Sequence, residues 1–108
     1  MRSPNIEDLL FYAIENSHPN ATIENLLKLG TNLYTTNKDG KTPIILAASI
    51  KPQERAMELC ELLLEYGDKA QVCTYVMIDD EYITPVQEAK NVGNEEVAMY
   101  LLGQLFND

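Results

Sequence analysis

Residue types that enzymes commonly use for catalysis are scarce in this 108-residue sequence, which has one histidine, two cysteines and no tryptophan. A single histidine, His18, supplies neither a catalytic triad nor a metal cluster. Cys60 and Cys73 lie outside any metal-binding or redox motif. The sequence therefore predicts a protein that is not an enzyme and that holds no cofactor or metal. A small metal-dependent enzyme assembled from distant residues stays as an alternative.

Long apolar segments are also lacking. The longest is Ile44–Ala48, far below the roughly 20 residues that a membrane helix needs. The N-terminal segment Met1–Asn5 does not have the apolar core of a secretory signal. We therefore expect a cytoplasmic protein with reduced thiols that does not contact membranes. The length and the 45% hydrophobic content fit one domain over residues 1–108.

Basic residues are the third scarce class, since 8 of them stand against 17 acidic residues and give a formal net charge of -9. Such a surface repels nucleic acids, so we expect no nucleic-acid partner. The same charge accelerates the encounter with a basic partner. A role in solubility alone is the alternative, and both interpretations stay open.

One segment of the sequence occurs twice. Thr42–Ala48 (TPIILAA) is echoed by Thr84–Ala89 (TPVQEA). In each copy the threonine oxygen can accept hydrogen bonds from the amides at a helix start, and the proline suits the first helical position. Gln87 stands three residues after Thr84 and completes the pattern of a capping box. Both segments therefore predict the start of a helix.

Three leucine-rich segments end in a glycine: Ile23–Gly30, Glu58–Gly67 and Glu95–Gly103. Gly67 fits the left-handed position that ends a helix. Short helices of this kind bury their apolar faces only by stacking on neighbouring pairs, as in a solenoid. The six predicted helices span Ile6–Asn16, Thr22–Leu29, Pro43–Ile50, Gln53–Tyr66, Pro85–Asn91 and Glu95–Leu105.

This order of elements resembles the ankyrin repeat family, in which a turn precedes Gly-x-Thr-Pro-Leu-His-x-Ala-Ala and a leucine-rich helix ending in Gly follows. Gly40–Ala48 matches with Ile45 in the histidine place, and Thr84–Leu102 matches with Gln87 there. Leu9–Gly30 is a degenerate, capping-type version. The resemblance implies an all-α repeat solenoid of stacked helix pairs joined by β-hairpin fingers. Its repeats lie approximately at residues 5–33, 37–70 and 79–106.

Two connections exceed the family repeat of about 33 residues. About four extra residues fall within Ile50–Ala56, and about five fall between Gly67 and Thr84. The second stretch contains Gln71–Ile78, which is rich in strand-forming residues, and a turn at Asp79–Glu81 follows. We therefore predict one enlarged hairpin finger there.

The resemblance also implies a partner-binding surface, because hairpin tips and first helices line the concave side of such stacks. Within it, Asp79–Tyr82 combines acidic residues with an aromatic anchor suited to a basic partner. The alternative is a solvated turn. A calcium site is disfavoured because the ligand spacing of an EF-hand is absent. The predicted contact residues are Glu15, Asn16, Lys38, Asp39, Lys41, Ser49, Ile50, Asp79, Asp80, Glu81, Tyr82 and Asn91.

A stripe of four glutamates is interpreted differently. Glu54, Glu58, Glu61 and Glu65 recur at helical spacing, so they share one helix face. We expect this face to be the solvated convex side of the second helix pair.

The resemblance implies a protein–protein interaction module. The sharper hypothesis is a small acidic inhibitor or immunity-type protein that neutralises a basic enzyme or toxin by covering its active site. An effector or adaptor that recruits a cellular protein is the alternative. A monomer is expected, although the apolar end Leu101–Phe106 leaves self-assembly open.

Overall fold

The structure is a computed structural model that describes residues 5–106. Six α-helices dominate this part of the chain, and a 3-10 helix and a two-stranded sheet lie between the fourth and fifth helices. No helix in this range is long and apolar enough to cross a membrane. The α-helices are α1 (Ile6–Glu15), α2 (Asn20–Lys28), α3 (Pro43–Ala48), α4 (Gln53–Tyr66), α5 (Pro85–Asn91) and α6 (Glu95–Gln104). The 3-10 helix is Lys69–Cys73, and the strands are β1 (Val76–Ile78) and β2 (Glu81–Ile83).

The helices form three antiparallel pairs that stack into two rows. Within the pairs α1 packs on α2, α3 on α4, and α5 on α6. Between the pairs, α1, α3 and α5 form one row, and α2, α4 and α6 form the other. Fully buried aliphatic residues such as Ile14, Ile44, Leu59 and Leu101 join the rows in one core. The predicted helical repeat fold is therefore confirmed.

The two Thr-Pro segments begin helices as predicted. Thr42 Oγ1 accepts a hydrogen bond from the Ile45 amide at 3.4 Å, and Thr84 Oγ1 accepts one from the Gln87 amide at 3.1 Å. The predicted capping box at α5 is only half formed, because Gln87 Nε2 donates to Asn91 Oδ1 at 3.1 Å. An acceptor four residues ahead lies on the same helix face, within reach of the glutamine amide.

The bounds of α4 and α5 match the prediction, and those of the other four α-helices differ from it by one or two residues. The largest differences are at α2, which begins at Asn20 instead of Thr22, and at α3, which ends at Ala48 instead of Ile50. Pro19 supplies the start of α2 because its fixed φ, here -58°, suits a helix N-terminus. At the end of α3, Ser49 Oγ donates to Leu46 O at 2.7 Å and satisfies a carbonyl of the last turn.

The prediction that Gly67 adopts a left-handed conformation is wrong. Its φ and ψ are -123° and -161°, which is extended backbone. The end of α4 is instead satisfied by the buried Gln71, whose Nε2 donates to Leu63 O at 2.8 Å and to Asp68 O at 3.1 Å. Glycine is needed here for space, because an added Cβ would lie 2.7 Å from Leu33 Cδ1 and also overlap the Gln71 amide.

The expected strand character of residues 71–73 is also wrong, since they belong to the 3-10 helix. The buried side chains of Gln71 and Val72 hold this segment against the core, and Thr74 Oγ1 ends it by donating to Gln71 O at 2.6 Å. Strand pairing begins only at Val76, with Met77 opposite Tyr82.

Candidate binding surface

The β1–β2 hairpin turns tightly at two aspartates. Asp79 and Asp80 have φ values of 52° and 66°, in the left-handed region. Two consecutive left-handed residues are what a two-residue hairpin turn of type I′ requires, and Asp is among the residues that tolerate them. The turn therefore places both carboxylates at the tip, next to the exposed Glu81.

One face of the hairpin carries an exposed cluster that we call the finger face: Tyr75, Met77 and Tyr82. Met77 and Tyr82 are directly opposite in the register, so their side chains share a face. Tyr75, two residues before Met77, lies on the same side. The three residues are 62%, 54% and 67% exposed. The two tyrosine rings meet edge to face with centroids 5.2 Å apart, so each restricts the other.

The opposite face of the hairpin lies against the turn at residues 37–41. Ile83 is buried, and Ile78 Cγ1 lies 3.8 Å from the position that a Cβ on Gly40 would occupy. The finger face therefore points away from the neighbouring turn.

The turn at residues 37–41 is organised by one asparagine. Asn37 Oδ1 accepts hydrogen bonds from the amides of Asp39 at 3.0 Å and Lys41 at 2.9 Å, and Gly40 supplies a φ of 83°. These bonds fix the local backbone, a frequent role of asparagine in turns. As a result, the predicted contact residues Lys38 and Asp39 are exposed at the tip.

A groove of about 240 Å³ lies between this turn and α1. It brings together two predicted contact residues, Glu15 from α1 and Lys38 from the turn. Asp8, Tyr12 and Glu15 fall on one face of α1 because they are four and then three residues apart. The remaining lining residues are Phe11 and Asn37. Carboxylates and an aromatic ring thus extend the exposed surface from the turn onto the first helix.

A comparison with known families identifies the fold formed by these helix pairs and turns. A family model described as ankyrin repeats, in three copies, matches residues 10–108. The chain belongs to the ankyrin repeat family. Ankyrin repeats are protein–protein interaction modules and generally have no catalytic activity. No curated protein matches the chain.

Several contact residues carried over from the ankyrin resemblance have structural roles within the domain. Lys41 Nζ forms an ion pair with Glu88 Oε2 at 2.7 Å. Ser49 caps α3, and Ile50 is partly buried against the core. Asn16 Nδ2 donates to Tyr12 O at 2.8 Å at the end of α1. Their roles in binding, with that of Asn91 at the end of α5, stay predictions.

The glutamate stripe of this ankyrin domain is solvated, as expected. Glu54, Glu58, Glu61 and Glu65 are exposed along α4, and Glu58 Oε1 accepts from Arg55 at 3.2 Å. The neighbouring Leu59 and Leu63 are fully buried. The stripe is therefore an acidic surface of α4 that is separate in sequence from the finger.

Sequence reasoning did not single out Tyr75 and Met77 as binding residues. Their alternation with Val76 and Ile78 is a period-2 signal that could have separated the exposed face from the inner one. Asp8 and Tyr12 were also missed, although their helical spacing from Glu15 was readable.

The two cysteines differ in exposure. The Cys60 thiol is buried in the core, and burial raises its pKa to about 12, whereas Cys73 is exposed. Within residues 5–106, no group of three or more His, Cys, Asp or Glu side chains is arranged to hold a metal ion.

Proposed function

We propose that this ankyrin domain binds a partner protein with a basic surface and that the hairpin finger is the centre of the contact. The observation that supports this most is the finger face of Tyr75, Met77 and Tyr82 beside the exposed carboxylates of Asp79–Glu81. Residues 74–83 contain no lysine or arginine. The predicted contacts around the groove, Glu15 and Lys38, would extend the same surface.

The finger combines the two properties that such a contact needs. Tyrosines give a large contact area at low entropic cost, and here the edge-to-face pair already restricts both rings. The surrounding carboxylates attract positive charge over a distance and reject acidic competitors. Apolar anchors supply affinity, whereas the charges supply encounter rate and selectivity.

The more specific form of this proposal is a cytoplasmic inhibitor of the immunity type. An enzyme or toxin that acts on nucleic acid has a basic active-site surface, because it must attract phosphates. A chain with a net charge of -9 that covers such a surface would compete with the substrate for it. An adaptor would bind the same partner without blocking its activity, so an activity assay on the complex separates these two roles.

The test uses two variants with matched charge changes. The finger-neutral variant carries Asp79→Asn, Asp80→Asn and Glu81→Gln. Asparagine replaces aspartate because it also tolerates the positive φ at both turn positions. The helix-neutral variant carries Glu54→Gln, Glu61→Gln and Glu65→Gln on α4. Each set removes three of the 17 acidic side chains, so both change the net charge from -9 to -6.

Wild type and both variants are used as bait in lysate of the expressing cells at low and high salt. We expect one stoichiometric basic protein on wild type and on the helix-neutral variant, lost at high salt and strongly reduced on the finger-neutral variant. Equal capture by the two variants would move the contact away from the finger. Capture of only acidic or salt-insensitive proteins would contradict a basic partner.

A further inference from the structure

The hairpin finger places exposed aromatic rings next to carboxylates, and this combination distinguishes between the two basic side chains. We propose that the finger face recognises arginine in preference to lysine, with the guanidinium of a partner's arginine on a tyrosine ring and its N–H donors directed at the carboxylates of the turn. This inference rests on the proposed function, because it names the basic group that the finger binds.

The finger belongs to an internal connection of the stack. Its strands follow α4 of the second helix pair and precede α5 of the third. Both of its ends are anchored, since Val72 is buried before β1 and Thr84 caps α5 directly after β2. The buried Ile83 fixes one face of the hairpin against the domain. The finger face is therefore held in place by the fold on both sides.

The two tyrosine rings of the finger face offer an accessible aromatic surface. Their planes meet at 75°, so the edge of one ring covers part of one face of the other. Tyr75 and Tyr82 are both more than half exposed, which leaves ring surface open to a ligand. A cation within about 6 Å of a ring centroid is attracted by the negative face of the ring. The ring pair is therefore suited to a cation.

The turn supplies counter-charges within reach of the same cation. Tyr82 follows Asp80 by two residues, so their Cα atoms are at most about 7 Å apart. Among residues 5–106, the side chains of Asp79, Asp80 and Glu81 form no hydrogen bond or ion pair with one another or with any other residue of that range. The domain thus provides no cation of its own for these carboxylates, and they are open to one from a partner.

An exposed site of this kind favours a guanidinium over an ammonium. The guanidinium is planar and weakly hydrated, so it stacks on an aromatic ring while its N–H donors, which lie in its plane, reach carboxylates beside the ring. The lysine ammonium is compact and strongly hydrated, and at an open surface it keeps its water. Both cations carry the same charge, so the carboxylates alone attract them equally. The preference for arginine therefore comes from the rings.

Two variants separate the contribution of the rings from that of the charges. The ring-loss variant carries Tyr75→Ile and Tyr82→Ile, which keeps apolar side chains that favour strands. The ring-kept variant carries Tyr75→Phe and Tyr82→Phe, which keeps both aromatic faces. Neither variant changes the net charge of -9, and both positions are exposed, so the fold should persist. Circular dichroism and urea midpoints establish that each variant is folded.

The probes are two blocked peptides of equal length and charge, in which serine alternates with arginine in one and with lysine in the other. Each is titrated at low salt into isotopically labelled protein, and NMR shifts of the backbone amides of residues 74–83 give both the site and the Kd. Wild type and the ring-kept variant should bind the arginine peptide at least about three times as tightly as the lysine peptide. The ring-loss variant should bind the two equally, and the finger-neutral variant should bind both more weakly.

Two outcomes would overturn the arginine preference and leave a basic partner at the finger in place. One is equal binding of both peptides by wild type through the amides of residues 74–83. The other is a preference for arginine that persists in the ring-loss variant. Shifts confined to the amides of α4, with none in residues 74–83, would contradict the finger as the binding site and with it the proposed function.

Discussion

The Lys41 ammonium lies 2.7 Å from Glu88 Oε2 and connects the turn at residues 37–41 to α5 of the third helix pair. The two side chains are 26% and 11% exposed, so the carboxylate is the more deeply enclosed partner. The ion pair therefore holds the turn at residues 37–41 against α5. It also engages Lys41, which the ankyrin resemblance assigns to partner binding.

Removing the lysine should cost more than removing the carboxylate. Lys41→Met leaves Glu88 enclosed without its counter-charge, and we expect a loss of about 1–3 kcal/mol in the free energy of unfolding. Glu88→Gln leaves a lysine that water reaches, so its cost should be smaller. Urea unfolding of both single variants and the double variant measures this. A double variant less stable than Lys41→Met would contradict the pairing.

Asn94 should be the most sensitive polar residue between the second and third pairs. It is fully buried, and its Nδ2 donates to Ala48 O at 2.9 Å and to Ile50 O at 3.0 Å. Asn94→Ala removes both donors, and we expect it to lower the free energy of unfolding by about 1–3 kcal/mol. The control Asn91→Ala, at an exposed position, should stay within about 0.5 kcal/mol. Equal urea midpoints for the two variants would refute this role.

Two glycines provide a matched pair of substitutions. An added Cβ at Gly67 would meet Leu33 Cδ1 at 2.7 Å and Leu63 O at 3.0 Å, whereas nothing lies within 4 Å of one at Gly103. Gly67→Ala should therefore destabilise the domain by about 1–3 kcal/mol. Gly103→Ala, within α6, should be neutral or stabilising by up to about 1 kcal/mol. Thermal unfolding checks both, and a Gly67→Ala variant as stable as wild type would show that the space next to Leu33 and Gln71 is not needed.

The two thiols should react at very different rates. Cys60 is fully buried with its pKa raised to about 12, so near neutral pH it is an inaccessible thiol and not the reactive thiolate. Cys73 is exposed. A disulfide reagent at about pH 8 should modify one thiol rapidly and the second only in denaturant, because the reagent reaches only the exposed thiol in the folded protein. Cys73→Ser should abolish the rapid phase; a rapid phase that persists would place Cys60 at the surface.

The sequence predicted the parts of the fold that depend on local signals. Thr42 and Thr84 mark helix starts because capping involves residues only three apart. The conformation of Gly67 was mispredicted because contacts with residues outside α4 determine it. Gln71 replaces the usual cap, and the glycine accommodates its amide and Leu33.

Of the exposed side chains on the hairpin, sequence reasoning singled out Asp79–Tyr82 but not Tyr75 and Met77. An acidic turn with an aromatic neighbour was readable at Asp79–Tyr82. The ring contact between Tyr75 and Tyr82 depends on the strand register. A shift of one residue in the pairing would move the side chains of one strand to the opposite face of the hairpin. The pairing of Lys41 with Glu88 depends on stacking between repeats, for which no local pattern exists.

Photo-crosslinking at residue 82 tests the central claim, binding of a basic partner at the finger, most directly. A benzophenone amino acid replaces Tyr82, an aromatic-for-aromatic change at an exposed position, and the same replacement at the exposed Leu29, directly after α2, is the control. Irradiation in lysate at low salt should join residue 82 to one basic protein, with the crosslink lost at high salt and absent from position 29. Crosslinking of that protein only from position 29, or of no basic protein from position 82, would contradict the finger as the binding site.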